Sequence, residues 1–375
     1  MKDNPRVSII INNYNYAQYL PTAIASALDQ TYRHIEVIVV DDCSTDGSRE
    51  VIQRYGDRIV PIFHDVNGKQ GAALNSGFAA SQGEIVMFLD ADDYLFPDAV
   101  ERIVAVWKPG ISKVHFRLQV VDGEGNPLGY CIPSIGNKLP SGAIWQQLLE
   151  TSSYVSSPMS GNAYWKAAIA SAFPIAPDYA TTADDYLMIS SPFYGELVGI
   201  NDCLGAYRVH TSNQWALTSV SGSRFRRFVQ HDLQNFALLQ QRAREFNHEI
   251  PPDLELRSLG RVWSRLASLR LEPQEHPVPT DNVTYLVCRG VRSLWFYSHH
   301  NRPKRILYSL FFVWIGYMPV PLAKMALTYL YAPHLRPQVV DLLLKRLRSL
   351  MSRDTGAAKA PTQAKTEEST AATHV

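Results

Sequence analysis

The chain has no excess of charge of either sign, no cysteine framework and no apolar run long enough to span a bilayer, and each absence narrows its function. Lys plus Arg number 36 against 35 Asp plus Glu, a net charge of +1, so a general affinity for nucleic acid is excluded. The four cysteines, Cys43, Cys131, Cys203 and Cys288, show neither CxxC nor paired Cys/His spacing. That excludes a zinc-ribbon pattern and a disulfide scaffold, and it points to a reducing compartment. Met1 to Arg6 is polar and Val7 to Ile11 is too short for a secretory core, so a cytoplasmic setting is expected. No GxGxxG follows the first apolar run, which removes the dinucleotide fingerprint.

What is present is ample core material, with 46% hydrophobic and 19% charged residues in a 375-residue chain suited to two domains. Apolar, β-branched runs at Val7–Ile11 and Glu36–Val40 read as buried strands, and Ile59–Phe63 and Ile85–Leu89 as two further short strands. Between and after them, helical spacing appears over Tyr19–Leu28, Gly47–Tyr55, Leu74–Ala79 and Pro97–Trp107, with Pro97 as the first helical residue. This alternation predicts an α/β fold with a mainly parallel central sheet flanked by helices. In such sheets the ligand crevice lies beyond the carboxyl ends of the strands. From Lys113 to Tyr207 the pattern is mixed, with strands at Val114–Val121 and Leu197–Ile200 and helices starting near Ser141 and Gly161. Helical periodicity dominates Ser221–Leu271, a proline-rich linker covers Glu272–Thr280, and Cys288–Leu350 is helical again. The expected organisation is a catalytic domain over residues 1–215, a helical basic appendage over 220–350 and a disordered tail over 351–375.

Two acidic clusters end predicted strands, at the edge where a ligand would bind. Asp90-Ala91-Asp92-Asp93 places three carboxylates at one strand mouth, where they repel unless a hard cation sits among them. A cation held by one or two carboxylates keeps positions open for phosphate oxygens, which suits a nucleotide diphosphate; a solvated acidic loop is the alternative. The second cluster runs Asp41-Asp42-Cys43-Ser44-Thr45-Asp46. Asp42 or Asp41 suits contact with a base N–H or ribose hydroxyls, and Ser44 or Asp46 suits helix capping.

In order and spacing these stretches resemble a family 2 glycosyltransferase of the GT-A fold, over roughly residues 5 to 215. The matching blocks are Val7–Asn15, Ser26–Thr31, Glu36–Gly47, Asn67–Gly77 and Gly83–Asp93, followed by Pro97-Asp98. The resemblance implies a base pocket lined by Asn12, Tyr14 and Asp42, with Tyr14 stacking on the base. It implies ribose or sugar contacts by Asp90, and ribose and metal contacts by Asp92 and Asp93. Asn15, Asn67 and Asn75 are carried over as donor contacts from the matched blocks. Two departures stand out. Asn12-Asn13 replaces the usual Pro-Thr. Asn67-Gly68-Lys69 and Ala73-Leu74-Asn75 replace Asn-x-Gly and Ala-Arg-Asn, so an arginine is missing and Lys69 could supply the charge.

Glycosyl transfer to a hydroxyl needs a base near the acceptor and a cation to neutralise the leaving diphosphate. Ala183-Asp184-Asp185 resembles the family's acidic pair, with Asp185 as base and Asp184 beside it; a plain helix N-terminal pair is the alternative. Tyr207-Arg208-Val209-His210, continued by Ser212–Trp215, resembles the segment after the base, which makes His210 a metal or phosphate ligand or else a structural histidine. Ser160–Ala163 resembles an acceptor-side loop or caps a following helix. The expected reaction is a Mn2+- or Mg2+-dependent, inverting transfer from a nucleotide-diphosphate sugar, UDP-sugars favoured, to a hydroxyl acceptor, in bacterial polysaccharide or glycolipid assembly. A nucleotidyltransferase and a non-catalytic scaffold are the competing readings.

Arg289–Leu350 carries ten Lys/Arg and one acid, around an uncharged stretch of 18 residues, Ile306–Ala323. Pro319 and Pro321 interrupt it, leaving too few residues to span a bilayer. It is expected to lie in the plane of the inner membrane surface, close to a lipid-linked saccharide acceptor, with a buried helical face as the alternative.

Overall fold

The computed structural model describes residues 4–331 except 137, 211–219 and 299. The expectations for Ser212–Trp215, for the helical continuation over 332–350 and for the tail lie outside the described residues.

The first half follows the predicted alternation: β1 (Val7–Asn13), α1 (Leu20–Leu28), β2 (Ile35–Asp41), α2 (Ser48–Gln53), β3 (Val60–Phe63), α3 (Lys69–Ala80) and β4 (Ile85–Asp90). Then come β5 (Tyr94–Leu95), α4 (Ala99–Val106), β6 (Ile111–Val121), β7 (Pro127–Ile132), α5 (Ile144–Thr151), β8 (Asn162–Trp165) and α6 (Lys166–Ile169). After them lie α7 (Ala183–Ser190) and β9 (Glu196–Arg208). Five helices close the described chain: α8 (Gly222–Glu245), α9 (Leu259–Leu271), α10 (Val283–Phe296), α11 (Arg302–Tyr317) and α12 (Val320–Tyr331).

One nine-stranded sheet runs β3-β2-β1-β4-β8-β6-β9-β5, with β7 on β6. The block β3-β2-β1-β4 is parallel throughout, whereas β8 is antiparallel to both β4 and β6. The sheet is therefore mixed, with its parallel part where the periodicity predicted it. Alternate side chains of β1, β2 and β4 enter opposite cores. Ile9, Ile11, Val37, Val39, Met87 and Leu89 pack against α1 and α4. Ile10, Ile38, Val40, Val86 and Phe88 pack on the other side against α3, α5 and α7.

Three local expectations change. The helix expected near Gly161 is β8, because Ala163 and Tyr164 pair with both Met87–Val86 and Val114–Lys113. Pro97 precedes its helix, which starts at Ala99 behind Asp98. The last strand runs thirteen residues to Arg208, far beyond Ile200, across a register shift.

The proline pair breaks the last helices as expected, between Tyr317 and Val320. A third core joins α8–α12, with Trp263 stacked on Phe312 at 3.7 Å between ring centroids. Helix α8 serves two cores: Leu238, Leu239 and Ala243 enter the sheet core, and Phe225 enters the helical one. Arg242 pins it to α7, donating to Ser190 Oγ at 3.1 Å and to Tyr186 Oη at 2.6 Å.

Candidate active site

Strands β1, β2 and β4 end side by side, and their tips form one wall of a cleft of about 810 Å³. The opposite wall is Pro158 and Met159, Thr181 and Thr182, Asp184 and Asp185 of α7, and Phe228 and His231 of α8. Of the residues singled out in the sequence, the cleft brings together Asn12, Tyr14, Asn15, Asp42, Asn67, Lys69, Asp90, Asp92, Asp184 and Asp185.

At the β2 end, Asp42 Oδ1 accepts from Gly68 N at 2.9 Å and meets His64 Nδ1 at 2.8 Å. Tyr14 is exposed beside it. Asn12 donates from Nδ2 to Asp90 Oδ1 at 2.9 Å, while its buried Oδ1 has no partner among the described residues. A buried acceptor without a donor costs free energy until a ligand supplies one. Three non-glycine residues on this rim, Asn15, Cys43 and Lys69, take left-handed backbone with φ of 59°, 63° and 69°.

At the β4 end, burial and then the neighbouring charge of Asp92 push Asp90 up to about 6. Gln70 Nε2 also reaches Asp90 Oδ1, at 3.3 Å. Asp92 Oδ2 lies 3.0 Å from His210 Nε2, and the His210 ring is packed between Tyr16 and Tyr19. Among the described residues no group of three or more His, Cys, Asp or Glu stands ready to hold a metal alone. The donor set nevertheless fits a hard cation shared with a ligand: a carboxylate and an imidazole in reach of each other, with Asp90 alongside, leave coordination positions for phosphate oxygens and water.

Three expected contacts point elsewhere. Asp93 turns inward: Oδ1 accepts from Arg208 N at 2.9 Å and Oδ2 from Ser160 Oγ at 2.6 Å. Burial, with Asp92 and Asp90 adding to it, raises its pKa well above the carboxylate range. Asp41 is fully buried, accepting from Asn13 Nδ2 at 2.8 Å and pairing with Arg49 Nε at 3.2 Å. Asn75 is engaged on both sides by the Ile175 backbone, at 2.9 and 2.7 Å. Neither Asp41 nor Asn75 lies on the cleft wall. Ser160, read as part of an acceptor-side loop or a cap, bridges the Asp90 amide and Asp93. Asp46 Oδ1 accepts from Ser48 N at 3.0 Å just ahead of α2, whose N-cap is Gly47.

Asp184 and Asp185 occupy the first turn of α7. Burial raises the Asp184 pKa to about 8, with the charges of Asp185 and Asp90 adding to it and that of Lys113 opposing. Asp185 Oδ2 sits 2.8 Å from His231 Nε2 and accepts from Asn235 Nδ2 at 3.3 Å. Both partners come from α8 and were not anticipated. The available signal was their i, i+4 spacing on one helix face.

The chain matches the sequence model described as glycosyl transferase family 2 over residues 8–162. An uncharacterized glycosyltransferase of Nostoc sp. is 38% identical over 214 residues, covering 56% of this chain and 66% of that relative. A Bacillus subtilis glycosyltransferase, named provisionally for teichuronic acid biosynthesis, is 40% identical over 101 residues, 26% of this chain and 40% of its own. The chain thus spans less than two thirds of either relative. Among solved structures, S. aureus TarS 1-349 in complex with UDP-GlcNAc is similar in fold, with a TM-score of 0.52 at 14% identity over 86% of this chain and 91% of that one. With five sequence blocks in order, a GT-A type sheet and these relatives, residues 8–162 form a glycosyl transferase family 2 domain.

Proposed function

We propose that this chain transfers a sugar from a nucleoside-diphosphate donor, a UDP-sugar in the first instance, to a hydroxyl acceptor. The observation that carries this reading is the gathering of Asp42, Asp90, Asp92 and Asp185 around one cleft. Asp42 and the unpartnered Oδ1 of Asn12 suit the base, Tyr14 suits stacking on it, and Asp90 suits ribose or sugar hydroxyls. UDP is favoured because the similar fold of TarS was solved with UDP-GlcNAc.

A divalent cation, Mn2+ or Mg2+, would be held by Asp92 and His210 and would neutralise the leaving diphosphate. Asp185, across the cleft, would take the acceptor proton as the acceptor oxygen bonds to the anomeric carbon. The bond to the diphosphate oxygen breaks on the opposite face, so the configuration inverts. Calorimetry with UDP-GlcNAc, with and without Mn2+, tests the donor side. Binding should need the metal, and Asp92→Asn should weaken it roughly tenfold, about 1.4 kcal/mol. Equal binding without metal would remove the metal assignment, and a product of retained configuration by NMR would remove the displacement.

We also propose that α10–α12 rest on an anionic membrane surface, near a lipid-linked saccharide acceptor of polysaccharide or glycolipid assembly. Residues 283–331 contain six Lys/Arg and no acid, and they expose Trp295, Phe296, Leu310, Trp314 and Tyr317. Basic and aromatic side chains around an apolar face suit an interfacial position. Among the described residues no helix is long and apolar enough to cross a membrane. The teichuronic acid label of the Bacillus relative supports the same setting.

A further inference from the structure

The residue that bears on Asp185 most directly lies in the helical half of the chain. His231 is on α8, lines the same cleft, and holds its Nε2 2.8 Å from Asp185 Oδ2. Asn235, one turn along, donates to that same carboxylate oxygen at 3.3 Å and fixes its direction. Helix α8 is itself held against α7 by Arg242, so this spacing is built into the fold.

We infer that Asp185 and His231 act as one base, the acceptor proton passing to the Asp185 carboxylate and on to His231 Nε2. This rests on the glycosyl-transfer reading above and adds the fate of the proton. The O–H electron pair of the acceptor becomes the new bond to the anomeric carbon, and the diphosphate leaves with the pair of the broken bond. The dyad ends as imidazolium beside carboxylate, and the imidazolium returns its proton to water after the products leave. A carboxylate alone is a weak base at neutral pH; an imidazole behind it gives the proton a better resting place. His231 is a positioning residue with respect to the sugar, since it acts through Asp185.

The surroundings favour the charged product state. Burial works against a protonated His231, but the hydrogen bond and charge of Asp185, with Asp232 behind it, outweigh burial and raise its pKa. The titratable groups facing the dyad are Asp184 on α7, whose carboxyl burial keeps protonated at neutral pH, Asp232 on α8 and Arg261 on α9, of which Arg261 opposes the protonated form. Because His231 must be neutral before each turnover, activity should rise with pH through its raised pKa.

Two measurements on the full chain test this. Without substrate, imidazole NMR should show His231 titrating above the usual 6.5, and Asp185→Asn should bring it down. A His231 titration indifferent to Asp185→Asn overturns the dyad. With UDP-GlcNAc and Mn2+, UDP release by His231→Gln should fall roughly 10²-fold in kcat with little change in donor KM. The acid limb of its pH profile should move toward the carboxylate range. His231→Gln keeps a hydrogen-bond donor, so its melting temperature should match wild type, and His231→Ala should be no faster. Normal turnover in His231→Gln with an unmoved acid limb defeats the dyad alone. A wild-type chain that neither binds nor turns over sugar nucleotides defeats the functional reading beneath it.

Discussion

Lys69 keeps a left-handed backbone, φ 69°, a conformation that favours glycine, and it lines the cleft. A side chain there costs about 1–2 kcal/mol, more than the unfolded-state entropy that lysine saves. Lys69→Gly should therefore raise stability by about 1 kcal/mol in urea denaturation while weakening donor binding in calorimetry. Equal donor affinity would show that the lysine offers no charge to the diphosphate. The acidic pairs teach a related lesson about what a sequence discloses. Clustering revealed where carboxylates gather, but adjacent residues at a strand end point to different sides. Asp42 faces the cleft and Asp41 the core, and Asp92 faces the cleft while Asp93 turns to Arg208. The direction of each side chain depends on partners distant in sequence, and those were not legible.

Among the elements, the βα units of β1, β2 and β4 were legible because burial on both faces writes a continuous apolar strand and a periodic helix, and the edge strand β3 by its short apolar run alone. Strand β8 was not, since four residues are too few to show a period and pairing with β4 and β6 decides their state. His231 and Asn235 were equally hidden, because a polar pair on an amphipathic helix resembles any solvated face. Helix α3 offers a quantitative test. A Cβ on Gly77 would stand 2.3 Å from Ile10 Cγ2, in a core where Ile10 is fully buried. Alanine gains about 1 kcal/mol of helix propensity, but overpacking costs about 1–3 kcal/mol. Gly77→Ala should lower the denaturation midpoint, and a higher midpoint would mean that α3 can slide off β1 freely.

At the scale of the whole molecule, a near-zero net charge conceals an acid-free basic surface over 283–331. More than half of the exposed large apolar side chains among the described residues fall between Tyr285 and Met325. The purified chain should sediment with phosphatidylglycerol vesicles at low salt and detach as salt screens the charge. Leu310→Glu combined with Trp314→Glu should reduce sedimentation several-fold without changing UDP-GlcNAc affinity. If wild type stays in the supernatant, the surface has another purpose.

The family match stops at residue 162, ahead of both α7 and α8. On the proposed function, the strand tips assigned to the nucleotide and the helices assigned to the incoming hydroxyl thus come from separate stretches of chain. On that reading, replacing side chains of α7 and α8 would change which hydroxyl is accepted while leaving the socket for the donor in place.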